Sequence, residues 1–428
     1  MHRWMVALLF ALPALSRAQE VRVVDDQRAE VIGILFRIAG ASDFNNATIQ
    51  PYTRQIDSAF LPFKQHPVFG SINRLRAATG VSLSAVIGLA PQLTDAVSFR
   101  ERAPLDGPSS TVARPWRSAE AQTVLADARD FARVARLQAF LDVHQALYDS
   151  ARVRMQRLVE SSTRLTWFSD YFGEAEGGVF VISPLLVNSA GNFAAEFQDG
   201  SKHERYAYLG MGLGDSLGFP VVPASVIPTL VHEFNHTFVN RVVSAKEAEL
   251  KASATSIFAP LREIMNANGY DNWLTMVQES VVRGSVIRYL RATAGPAAAA
   301  DELSIQRGLG FFWMDKLVAL LGQYEADRQQ YPTLSAFMPR IVALYDDLAP
   351  RIERLRADFE RHRPQVVSAS ITEGATDVAP RSGAQLVLRF DQPVEVSVNL
   401  VQKFCCGVPE FTAATFDASR TALTLTMK

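Results

Sequence analysis

The sequence predicts an α+β protein in which a mainly helical domain with a small sheet is followed by a small all-β module. Three observations lead there. Apolar residues recur at three- and four-residue spacing over long stretches before residue 364. Two short runs, GGVFVISPLLV and ERYAYLGMGLG, are rich in β-branched and aromatic residues and bounded by turn formers. After Pro364 the apolar period switches to two. The chain has 428 residues, 48% hydrophobic and 20% charged, as in ordinary globular proteins, and is long enough for two or three domains. A formal net charge of −1 leaves no basic field to draw nucleic acid, which excludes that class of partner.

Taken in order, MHRWMVALLFALPALSRAQE has a basic start, an apolar run from Trp4 to Leu15, and Ser16 and Ala18 spaced for cleavage before Gln19. Residues 1–18 therefore read as an export signal. The run is too short to span a bilayer, which takes ~20 apolar residues, and no later stretch is long and apolar enough to do so. The mature chain is expected to be exported, periplasmic or extracellular, without a transmembrane segment. VRVVDDQRAEVIGILF passes from strand-like residues into an apolar run that can open a helix. DFNNATIQPYTRQIDSAFLPFKQHPVF mixes turn formers and aromatics and is expected to hold loops and short helices. Residues 117–160 show the period of one or two amphipathic helices, with His144 as a partly buried structural histidine. Strands are expected at 177–187 and 204–214, then a helix carrying LVHEFNHTFVN, with Pro228 in its first turn and Ser225 as its cap. His203, ahead of the second strand, reads as a solvated loop residue.

Helical stretches follow at 271–293 and 303–323, and ALYDDLAPRIERLRADFERHR ends in a charged helix stopped before Pro364. VVSASI, AQLVLRF, VEVSVNL and TALTLTM then alternate apolar and polar residues, giving a β module over 364–428 behind a main domain over 19–363. The only two cysteines, Cys405 and Cys406, are adjacent. They can close a strained small ring or stand as two thiols in a turn, but no disulfide framework holds this fold.

Residues 230–240 carry the chemistry. His232 and His236 are four apart, so in a helix their rings leave one face a turn apart, close enough to grip one ion. With Glu233 between them this is HExxH, in which two imidazoles bind Zn²⁺ and the glutamate takes a proton from water. A catalytic zinc takes three protein ligands and leaves one position open. The variant HExxHxxGxxH is excluded, because Val239 and Val242 stand where it needs Gly and His. The best third ligand is Glu279, in a segment whose Trp273, Leu274, Val277, Val281 and Ile287 give it a buried side where a carboxylate needs a partner. An ion pair with Arg283, four residues on, is the alternative for Glu279. Asp271 and Glu263 are rivals for the ligand role. Asn240 continues the histidine face by one more turn, either as a partner of the ligands or as a helix-end residue.

HEFNHTFVN with a downstream QESVVRG resembles the gluzincin arrangement of metallopeptidases such as thermolysin, with HExxH on one helix and a glutamate ligand on a later one. Together VVDDQRAEVIGILFRIAG, FLPFKQHPVF, HEFNHTFVN and YDNWLTMVQESVVRG are similar to a bacterial domain-of-unknown-function family of exported zinc metallopeptidases, over roughly residues 20–350. The resemblance implies a zincin-like fold, His232, His236 and Glu279 as zinc ligands, and Glu233 as base. Tyr270 resembles a tyrosine placed ahead of the glutamate ligand in thermolysin-like enzymes, which implies a donor to the oxyanion; Arg283 and Tyr289 are weaker candidates. Many gluzincins have an aspartate four residues after the glutamate ligand; Arg283 stands there instead and leaves the orientation of His232 unassigned. SASITEGATDVAPRSGAQLVLRFDQPV is similar to bacterial Ig-like domains, which implies a spacer or a cell-surface association. The expected activity is zinc-dependent hydrolysis of a peptide or protein substrate. The competing class is a non-catalytic scaffold of the same shape that binds a peptide or cell-surface ligand.

Overall fold

A computed structural model describes residues 20–45, 49–107, 110–173, 178–188, 191–200, 202–371, 384–394 and 411–427. The export signal, Cys405 and Cys406, and nearly all of VEVSVNL lie outside the described residues. The protein is mostly helical, 60%, with small sheets, an α+β architecture as predicted. Among the described residues no helix is long and apolar enough to cross a membrane.

In chain order the elements are β1 (Glu20–Val23), α1 (Gln27–Ile38), α2 (Gln50–Phe60), α3 (Pro67–Thr79), α4 (Leu83–Ile87), α5 (Ala119–Val134), α6 (Leu137–Ser162) and α7 (Thr166–Phe172). The strands β2 (Gly178–Leu185), β3 (Asn192–Asp199) and β4 (Lys202–Gly210) then lead into α8 (Val226–Ser244). They are followed by α9 (Glu247–Ala267), α10 (Trp273–Thr293), α11 (Pro296–Gly308), α12 (Met314–Ala326), α13 (Leu334–Leu348) and α14 (Ile352–His362), and by β5 (Val366–Ala369), β6 (Gln385–Phe390), β7 (Phe411–Phe416) and β8 (Ala422–Met427). The chain divides into two compact units, and the division runs through the unbroken helix α10. The first comprises Met1–Lys246, Val281–Thr293 and Leu321–Pro339; the second comprises Glu247–Ser280, Ala294–Leu320 and Arg340–Lys428.

The first unit is built on a four-stranded sheet in the order β1-β2-β4-β3. β1, β2 and β4 are mutually parallel, and β3 closes one edge antiparallel to β4, with Glu196 opposite Arg205. Helix α1 is held against the end of β2 by two devices on one face, three residues apart. Gly33 has no side chain where a Cβ would come within 2.4 Å of Val187, so the helix can approach this closely. One turn before it, the buried Glu30 carboxylate accepts the backbone N–H groups of Leu186 and Val187, both at 2.9 Å. These are amides the strand no longer pairs. Asp26 caps α1 through the Arg28 amide, pairs with the Arg28 guanidinium and accepts the Tyr208 hydroxyl at 2.7 Å, which ties the helix start to β4. His144 is buried as expected, its ring nitrogens meeting the Phe140 carbonyl and the Gln55 side-chain oxygen, each at 2.7 Å.

The second unit contains α9, α11, α14 and a four-stranded antiparallel sheet in the order β5-β6-β8-β7. Leu423, Leu425 and Met427, alternate residues of β8, form its buried side.

Several elements depart from expectation. The single helix expected at 303–323 is two, α11 and α12, separated at Gly310, whose φ of +99° no helix accepts. The strands expected to reach residues 187 and 214 end at Leu185 and Gly210. Ser225 occupies the first position before α8, but its side chain makes no capping bond. His203 is not a loop residue: it lies on β4, with its ring 2.8 Å from the Glu196 carboxylate across the β3–β4 hairpin. Strands β3 and β7 and helix α9 were not anticipated.

Burial pushes the Glu30 carboxyl up to about 7, although the two amides pull it the other way. The native state keeps a proton that the unfolded chain releases, so this carboxyl favours folding fully below about pH 4.5 and loses that contribution as the pH rises toward 7. Subtracting the unfolding free energy of Glu30→Gln from that of the wild type across this window should give a curve falling by about 3 kcal/mol with rising pH. A flat difference curve would mean that Glu30 titrates normally.

Candidate metal centre

Helix α8 packs on β3 and β4 and divides its surface into three rows. The phenylalanine row faces the sheet side: Phe234 lies edge-on to Phe180 of β2, ring centroids 4.5 Å apart, and Phe238 stacks on Phe172 at 4.4 Å. The Arg205 guanidinium sits 4.5 Å from the Phe238 ring centre. A second row holds Asn235, which is fully buried and donates its side-chain N–H to the Val282 carbonyl of α10 at 3.2 Å. The third row is His232, His236 and Asn240. Two residues along a helix turn the direction by about 200°, so this row points away from the phenylalanines.

The crossing at Asn235 and Val282 sets what α10 brings to the histidines. Glu279 lies three residues before Val282, almost one turn, on the same helix, and 92% of it is withdrawn from solvent. His232, His236 and Glu279 come together, each offering one ligand atom, all within 4.8 Å of one another. The two Nε2 atoms are 3.0 Å apart and the rings stand at 81°. Metal–nitrogen bonds of 2.0–2.1 Å in tetrahedral geometry place two nitrogens about 3.3 Å apart, so the imidazoles already hold nearly the spacing an ion requires. The donors are two neutral-capable nitrogens and one carboxylate, a set able to hold a first-row divalent ion and leave a position open.

Around the triad, Glu233 is buried next to His232 in the sequence, and the Nδ1 atom of His236 lies 3.1 Å from the Asn240 side-chain oxygen. Tyr270 is also here. α9 ends in a turn through Gly269, and Asn272 caps α10 by accepting the Thr275 amide at 2.9 Å, so the intervening Tyr270 is folded back along α10. Its hydroxyl donates to Glu279 Oε2 at 3.0 Å. Beside Glu279, Ser280 accepts the Trp313 indole N–H at 2.9 Å.

The other sequence candidates are placed apart from this group or at its margin. Asp271 and Glu263 are exposed, which removes them as rival ligands. Tyr289 is ten residues beyond Glu279, about 15 Å along the helix, and its hydroxyl accepts the Arg164 amide. Arg283 is half-buried one turn after Glu279. Asn235 was missed, although a polar residue embedded in the apolar side of the motif helix is the signal that marks it.

The chain belongs to the family described as a domain of unknown function, DUF4932, whose family model matches residues 26–344 and so includes both α8 and α10. No curated protein and no solved structure gives a significant match.

If the triad binds an ion, Glu279→Gln should weaken binding of cobalt(II) or zinc at least as far as the ~10–100-fold typical of losing an outer partner. Arg283→Ala should change it little. Equilibrium dialysis of the two variants beside wild type and His236→Ala decides the matter: equal metal content in wild type and His236→Ala removes the site, and equal, small losses in Glu279→Gln and Arg283→Ala reduce Glu279 to an ion-pair residue.

Proposed function

We propose that this DUF4932 protein is an exported zinc metallopeptidase of gluzincin type, with His232, His236 and Glu279 as the zinc ligands and Glu233 as the general base. The observation that carries the proposal is the convergence of a glutamate from α10 on the two histidines of an HExxH helix. A structural zinc is usually closed by four protein ligands, whereas three described side chains meet here, which favours a catalytic centre. When bound, zinc supplies Lewis acidity that polarises a carbonyl group and acidifies water.

The protein's own residues do the rest. Glu233 follows His232 by about 100° round the helix, so it borders the ion's position without being directed at it. There its carboxylate accepts the proton of the attacking water and passes it to the amide nitrogen that leaves. Tyr270, whose single hydroxyl proton goes to Glu279, orients that ligand; it becomes a donor to the oxyanion only if it exchanges that bond for one to the substrate.

A peptide as substrate is what the HExxH pattern implies; the edge strand β3, which packs on α8, does not add to that. At the outer edge of β3 the Glu196 carbonyl accepts from the Gln92 and Thr111 side chains, so that stretch of the edge is covered by the chain itself. The antiparallel sheet of 366–427 is compatible with an Ig-like module, and the first 18 residues with export.

Glu233→Gln should retain zinc while losing about 10²–10⁴ of the rate on a peptide substrate, and a chelator should abolish wild-type hydrolysis. Unchanged turnover in Glu233→Gln would remove Glu233 from the mechanism. A wild type that binds zinc and peptide but cleaves none would establish the non-catalytic scaffold instead.

A further inference from the structure

The geometry points to Asn240 as the residue that positions His236, by fixing its imidazole in the tautomer with the proton on Nδ1 and the lone pair on Nε2. The inference rests on the metal site proposed above but concerns a residue outside the ligand set. His232, His236 and Asn240 follow one another at four-residue spacing on α8, and side chains on a helix lean toward its N-terminus. The short Asn240 side chain therefore reaches back to the nearer ring nitrogen of His236, Nδ1, at 3.1 Å, while the farther nitrogen, Nε2, extends to within 3.0 Å of Nε2 of His232.

The direction of this bond matters. A neutral imidazole has one N–H and one lone pair, and a metal takes the lone pair. If the amide oxygen of Asn240 accepts, Nδ1 carries the proton and Nε2 is free to ligate. Were the amide turned so that its N–H₂ group donated to Nδ1, the proton would sit on Nε2 and block ligation. Asparagine permits both; aspartate can only accept. Ligating histidines elsewhere are fixed in the same way by a carboxylate or carbonyl on the nitrogen remote from the ion. Here the partner comes from α8 itself.

Two measurements on the full chain test this. In the metal-free protein with ¹⁵N-labelled histidine, at about pH 8 where an ordinary imidazole is neutral, long-range proton–nitrogen NMR should show His236 with a protonated Nδ1. The His236→Ala spectrum identifies its signals among the seven histidines. Metal titration should then show cobalt(II) affinity reduced about 10–100-fold in Asn240→Leu and kept or increased in Asn240→Asp. A protonated Nε2 in wild type, or an Asn240→Asp variant as weak as Asn240→Leu, would overturn the assignment. If Asn240→Leu fails to fold, the aspartate variant and the wild-type tautomer still decide. If wild type binds no divalent ion, the metal site itself fails, and the tautomer measurement alone judges Asn240.

Discussion

The hydrogen bond from Asn235 to the Val282 carbonyl is the constraint on which the centre depends. Two apolar helices packed side by side can slide or rotate at small cost, because dispersion contacts are many and individually weak. A buried amide that must find a carbonyl allows one register, since leaving it unmade costs on the order of 1–3 kcal/mol. With α8 and α10 locked at that point, Glu279 arrives beside His232 and His236. A shift of one residue would rotate it by about 100° away.

The locked pair is useful only if α8 itself is fixed, and that falls to the sheet. β2 is parallel to both its neighbours, so the chain must cross over between β1 and β2 through the helices α1–α7. Glu30 and Gly33 anchor the first of those helices to the end of β2, and Asp26 and Arg28 bind its start to Tyr208 of β4. Phe180 of β2, Phe172 of α7 and Arg205 of β4 then receive Phe234 and Phe238. Their position determines which way the opposite row of α8, the histidines, can face.

What was legible in the sequence follows from how local its cause is. The HExxH row depends on helical geometry alone, and Glu279 betrayed itself as a carboxylate among Val277, Val281 and Ile287. Helices α5 and α6 were legible from their period. By contrast β3 reads NFAAEFQD, with no β-branched residue, and is a strand because β4 supplies its pairing. Helix α9 contains Pro260, which argues against a helix locally and is overridden by its buried face of Leu250, Ala254, Ile257 and Leu261. His203 looked solvated because its partner, Glu196, is a neighbour only after the hairpin forms. The Asn235 crossing was illegible for the same reason: its acceptor is a backbone carbonyl 47 residues away.

The polar groups gathered here are hard to account for by stability alone. Glu233, Asn235 and Glu279 are buried in helices whose other inward residues are mostly apolar, and two imidazoles stand nitrogen to nitrogen beside them. Removing a single carboxylate from water carries an effective penalty of several kcal/mol unless a partner of opposite charge or several donors compensate. The Tyr270 hydroxyl bonds one oxygen of Glu279 as a neutral donor. A dication between Glu279 and the histidines would oppose the carboxylate charge directly and would separate the two nitrogens by only a few tenths of an ångström from their present 3.0 Å. Proteins keep such costly clusters chiefly where the cluster has a task. On that ground the cluster suits an ion-holding role whether or not Glu279 also pairs with Arg283, and Tyr270 belongs with the groups that orient Glu279.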